Sequence, residues 1–162
     1  MTGTASPSRP SAPALPLAAR LRRVHDRWLR EVGAQLEPVT VASTSSVWDR
    51  WGAARYLADQ FNYHFHTAGM LLQQLGPKLA SAVVARLAAE RAALERMRDE
   101  LSVLGRRQGT AAPMAVLARA LIERLTRWCA DLETATDDLA ADELEDEARV
   151  LLARFEAAPA TS

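Results

Sequence analysis

Between Val83 and Leu104 the apolar residues Val83, Leu87, Leu94, Met97, Leu101 and Leu104 recur in steps of three, four and seven. This is the heptad spacing of helices that pack side by side. A strand alternates every second residue, so this register excludes a sheet for the segment and predicts a helix over roughly residues 78–104. Three further segments carry the same three-and-four spacing. Leu21, Val24, Trp28, Val32 and Leu36 mark a first helix from about Pro16 to Leu36. Val47, Ala54, Leu57, Phe61, Phe65, Ala68, Leu72 and Leu75 mark a second. Met114, Leu117, Leu121, Leu125, Trp128, Leu132, Ala135 and Leu139 mark a fourth. Beyond Leu139 the apolar phase slips to Leu144, Ala148, Leu151 and Phe155, which predicts a break or kink between Thr136 and Asp142.

The punctuation between these segments agrees with their ends. Pro38 stops the first. Ser46, three residues before Asp49, resembles a capping box that starts the second at Val47. Gly76 and Pro77 stop it, Gly105 is placed to cap the third, and Pro113 falls in the first turn of the fourth. Short links between long amphipathic helices favour antiparallel neighbours. The expected fold is all-α: an up-and-down bundle of four long helices with a kinked or separate fifth at the C-terminus. Residues 1–14, rich in Ser, Thr, Pro and Ala, read as a disordered tail, residues 15–157 as the bundle domain, and residues 158–162 as a flexible end.

The 162 residues carry no net formal charge, but its distribution is uneven. Residues 1–127 hold 18 Arg or Lys against 10 Asp or Glu, a net of +8, and residues 128–162 hold 2 against 10, a net of −8. An acidic end folding against a basic front, or head-to-tail association, would neutralise both. All but one of the basic residues are Arg, a bias that codon usage alone produces, so Arg abundance does not indicate phosphate binding. The cluster Arg20, Arg22, Arg23, Arg27 and Arg30 is the one candidate for nucleic acid, and without a helix-turn-helix pattern that role is disfavoured. Cys129 is the only cysteine, which fits a reducing cytoplasm. No signal-peptide pattern and no apolar run long enough for a membrane span occurs, so no membrane association is expected.

Four features stand out against the helical pattern. His25 lies within the first apolar stripe. Glu90 takes the seam position between Leu87 and Leu94, where a carboxylate must either reach a solvated rim or meet a cation or donor. Cys129 falls in an apolar seam with no His near it, as a structural thiol would. Finally, the second helix carries Trp48, Trp51, Arg55, Tyr56, Asp59, Asn62, Tyr63, His66 and Met70 away from its main stripe. Aromatics, Arg and Met are the types enriched at protein interfaces, so Trp48, Trp51, Arg55, Tyr56, Asp59, Tyr63 and His66 are the candidate binding residues.

The stretches VHDRW at 24–28, YHFHTAGMLL at 63–72, RLAAERAALERM at 86–97 and DEARVLL at 146–152 resemble degenerate versions of the four helix signatures of hemerythrin-like proteins. Those are four-helix bundles that hold a di-iron centre with His and carboxylate ligands and bind oxygen or sense redox state. The resemblance assigns His25 and His64 to the family's first two helix histidines and Glu147 to its last glutamate. It departs from the family at Ala68, where a bridging Glu is expected, and at Arg91, where a His is expected. The chain thus lacks most of the metal ligands.

No glycine-rich phosphate loop, Cys-x-x-Cys, His-Glu-x-x-His or serine elbow is present in the sequence. The expected function is therefore non-enzymatic: a cytoplasmic bundle acting through protein–protein contacts, as a homodimer or a small accessory or regulatory subunit, with no cofactor. The alternative is a hemerythrin-like bundle binding a small molecule or metal, iron or zinc, through His25, His64 and Glu90.

Overall fold

The computed structural model describes residues 16–157, and the tail expected at 1–14 and the flexible end expected at 158–162 lie outside the described residues. Helix α1 (Leu17–Leu36) begins immediately after Pro16, which stands at the N-cap with extended ψ of 145°. Leu21, Val24, His25, Trp28, Val32 and Leu36 form its buried face. Pro38 lies in a single 3-10 turn, Glu37–Val39, that ends it.

The second long segment, residues 47–75, is one run with an irregular centre: α2 (Val47–Tyr56), a π turn (Leu57–Phe61) and α3 (Asn62–Leu75). Ser46 and Asp49 make the expected capping box, with Ser46 N donating to Asp49 Oδ2 at 2.8 Å and Asp49 N to Ser46 Oγ at 3.1 Å. Hydrogen bonding from the Ser46 side chain and backbone holds the Asp49 carboxyl below its ordinary value. Val47, read as the first member of the apolar stripe, is instead 61% exposed, because this first turn stands clear of the core. From Ala53 onward the buried arc is wider than one stripe and takes in Tyr56, His64, Thr67 and Leu71 as well as the expected residues.

Helix α4 (Ser81–Leu104) buries Leu87, Leu94 and Leu101, one residue per heptad, as a helix on the flank of a bundle does. Helix α5 (Ala111–Ala135) is more central and packs against both α1 and α4. It ends at Thr136, whose buried hydroxyl donates to the carbonyls of Leu132 and Glu133, both at 3.0 Å. The break expected between Thr136 and Asp142 is a full one, and α6 (Asp146–Ala157) is a separate helix packed against α3. Leu144, Ala148, Leu151 and Phe155 are all buried, as the slipped phase predicts.

Gly105 is the C-cap of α4, as expected, and adopts a right-handed conformation. Its φ is −62°, and the left-handed glycine is Gly109, at φ 71°. A Cβ on Gly105 would lie 2.5 Å from the Arg50 carbonyl oxygen and 2.7 Å from Ala54 Cβ. Close approach of α4 to α2, not backbone conformation, is what requires glycine there.

Five aromatic rings from four segments interlock at the centre. Trp28 meets Phe61, Phe65 and Phe155 at centroid distances of 5.5, 6.2 and 6.1 Å, and Phe65 meets Trp128 at 5.9 Å. The indole N–H of Trp128 donates to Leu87 O at 2.9 Å, satisfying the polar atom of a buried ring.

The acidic end folds onto the basic front. Arg20 grips Glu156 with two hydrogen bonds of 2.7 and 2.6 Å, and Arg27 donates to the Phe155 and Glu156 carbonyls at 3.1 and 2.8 Å, at the C-terminal turn of α6. A cation there meets the negative end of the helix dipole. Among the described residues the fold is all-α, with a lone bridge between Pro16 and Ala140 as the only strand-like pairing. No helix among them is long and apolar enough to cross a membrane.

Candidate interaction face and buried polar clusters

The helix run 47–75 presents one uninterrupted exposed line: Trp48, Trp51, Arg55, Asp59, Tyr63, His66 and Met70, spaced by three or four residues. Trp48 is 80% exposed, and Trp51, Tyr63 and Met70 are also open to solvent. Burying two indoles and a phenol is worth several kcal/mol in principle, at about 25 cal/mol per Å² of apolar area. Arg55 lies over the Trp51 ring at 6.0 Å and 4.0 Å from Asp59. Beside them is a hollow of about 200 Å³ lined by Trp51, Arg55, Ala58, Asp59 and Arg106. Six of the seven sequence candidates thus lie on this line.

Tyr56, the seventh, is not on it. It is only 5% exposed and faces Trp28 and Glu31 of α1. Burial, reinforced by the Glu31 carboxylate, pushes its phenol far above the ordinary value of 10.0. A single-stripe reading puts Tyr56 outside, but α1 covers this flank of the helix and widens the buried arc.

His64 joins the same buried region from α3. Its ring lies 5.9 Å from Trp28 and 6.2 Å from Phe155, and burial lowers its pKa below 6.5, with Glu31 opposing the shift and Arg27 adding to it. His64 is therefore neutral at pH 7. The π turn lies between Tyr56 and His64; such single turns interrupt α-helices most often at functional sites.

His25 is engaged elsewhere. Its Nδ1 lies 2.6 Å from Glu133 Oε1, and Glu133 also accepts from Arg22 Nε at 3.2 Å. The side chains of His25 and Glu133 are 1% and 13% exposed, so the pair is shielded from water. Burial raises the Glu133 pKa, but the hydrogen bonds and charges of His25 and Arg22 together outweigh it and hold the carboxyl below 4.5. Stability from a carboxyl with a depressed folded pKa is fully present above its unfolded value and is lost as pH falls through the folded one. Glu133→Gln should therefore cost about 1–2 kcal/mol at pH 7. That difference from wild type should shrink below pH 4.5. Urea denaturation across that range measures it, and a difference independent of pH would contradict the assignment. Glu133 escaped the sequence reading because it sits within the acidic run 131–147; its position one residue after the seam residue Leu132 was the available signal.

Glu90 reaches Arg124 of α5, with Oε2 accepting from Nη2 at 2.7 Å and from Nε at 3.3 Å. Both side chains are more than a third exposed, and they line an open groove with Arg86, Arg127 and Asp131. A solvated pair contributes roughly 0–1 kcal/mol. Glu90→Leu should accordingly leave thermal stability unchanged or raise it, and a large loss on melting would reveal a network beyond Arg124.

His25, His64 and Glu90 form no group with the makings of a metal site among the described residues. Glu147 is exposed on α6 and accepts from Gln74 Nε2 at 3.0 Å. Cys129 is buried, and burial pushes its thiol well above the usual value, as in an inert structural cysteine. Arg91 lies 5.4 Å from the Phe65 ring with its guanidinium against Gly69, where a Cβ would meet it at 2.3 Å. The Arg91 side chain of α4 thus packs over Gly69 of α3, a contact without a local sequence signal.

The described residues define an all-α helical bundle with an exposed aromatic face; in its interior His25 Nδ1 meets Glu133, whereas His25 Nε2, Tyr56 OH and His64 Nδ1 have no hydrogen-bond partner among them. No family model, no curated protein and no solved structure matches the chain.

Proposed function

We propose that this protein is a non-enzymatic, cytoplasmic up-and-down bundle that works by protein–protein contact, through the line from Trp48 to Met70. The observation that carries the reading is the exposure of Trp48, Trp51 and Tyr63 on one helix face, flanking an Arg and an Asp. Trp, Tyr and Arg are the residues that dominate binding energy at interfaces. The pairing of His25 Nδ1 with Glu133 and of Glu90 with Arg124 supports this reading over a hemerythrin-like metal site, because two of the three candidate ligands are already engaged by other side chains.

A photo-crosslinking residue at Tyr63, compared with one at exposed Val116 on α5, tests the proposal in the native cell. Adducts are expected from position 63 and not from 116, and Trp48→Ala with Trp51→Ala should remove them. Equal labelling at both positions, or none at 63, would defeat it.

A further inference from the structure

The exposed line has a symmetry that specifies its partner. Measured from Leu57, Arg55 and Asp59 each stand two positions away, Trp51 and Tyr63 six, and Trp48 and His66 nine. Opposite charges therefore flank the centre at equal distances, and aromatic rings flank the charges. Gly52 and Asn62, both exposed, are likewise equidistant at five.

A surface that is its own complement under a two-fold rotation is what an isologous dimer requires: residue i meets residue j, and j meets i. We infer that this face binds a second copy of the chain, with the two 47–75 helices antiparallel and the two-fold axis passing near Leu57. This rests on the reading of the line as a protein-contact face and names its occupant.

In that arrangement Arg55 of each copy meets Asp59 of the other, Trp51 meets Tyr63, and Trp48 meets His66. A parallel arrangement would set Arg against Arg and Asp against Asp, so the charges themselves select the antiparallel one. The intramolecular Arg55–Asp59 contact does not compete strongly. It is 4.0 Å long, and its side chains are 71% and 68% exposed, so both charges remain available. Arg106, which also lines the hollow, supplies a second cation to receive Asp59 of the second copy. Between Arg55 and Asp59 the exposed residue nearest the centre is the small Ala58, and a small contact residue allows close interaxial approach. From Trp48 to His66 the line is about 27 Å long at 1.5 Å per residue, long enough for every pair to engage.

Complementary charge reversal tests this. Arg55→Asp leaves two acids at the centre of the face, and Asp59→Arg leaves two bases. Light scattering and native mass spectrometry at tens of micromolar and low salt should find wild type dimeric, and each variant alone weakened at least about tenfold by like-charge contact. An equimolar mixture of the two variants should form a heterodimer, because both cross-pairs are then restored. Circular dichroism of each variant should match wild type, since both positions are on the surface. A monomeric wild type, or a mixture that yields no heterodimer, would overturn the inference. The adduct at position 63 separates this failure from that of the broader reading. Twice the 17.7 kDa chain is expected. An adduct only with a different protein would overturn self-association while leaving a contact face in place, and no adduct at all would defeat both.

Discussion

Trp28→Ala should destabilise the fold by about 3–5 kcal/mol, the range for truncating a buried aromatic side chain. Trp28 is 1% exposed and is the hub through which α1 touches Phe61, Phe65, His64 and Phe155. Its removal opens a cavity that rings from three other helical segments cannot all collapse into, since each is also held by its own backbone. Because marginal stability is typically 5–15 kcal/mol, the variant should sit close to unfolding at ambient temperature. Chemical denaturation with intrinsic fluorescence of the remaining tryptophans and circular dichroism followed in parallel checks this. A loss under about 1 kcal/mol would mean that the aromatic cluster repacks freely, against the close packing expected of a core.

Gly105→Val is expected to cost roughly 2–3 kcal/mol or more by overpacking. The atoms a new side chain would meet are a backbone oxygen and a Cβ, at 2.5 and 2.7 Å, and neither can swing aside. Relief requires α4 to move away from α2, which would loosen the helix that carries the exposed face. Gly33→Ala provides the internal comparison, because a Cβ there meets nothing within 4 Å. In the last helical turn of α1 that change should stabilise by up to about 0.5–1 kcal/mol. Opposite signs for two glycine substitutions in the same protein, read from urea midpoints, would confirm that Gly105 is kept for close approach. Similar small effects at both positions would refute it.

The positions of the helices were legible in the sequence because amphipathic spacing and helix punctuation are local. The start at Pro16, the capping box at Ser46 and Asp49, the stop at Gly76 and the phase slip after Leu139 each depend on residues within one or two turns. The exposed line from Trp48 to Met70 was legible for the same reason: side chains three and four apart on a helix share a face wherever the helix lies.

Only the tertiary structure decided how wide each buried arc is and which polar groups meet. Tyr56 and His64 turn inward because α1 and α6 cover flanks that a single-helix pattern treats as open. His25 finds Glu133 across 108 positions, and Glu90 finds Arg124 across 34. Such pairings depend on how helices are placed beside one another, which no periodicity within one helix encodes. Gly105 makes the same point from the backbone side. Its sequence position marked it as a helix cap, which it is, but its steric constraint is a neighbouring helix 2.5 Å from where a Cβ would be.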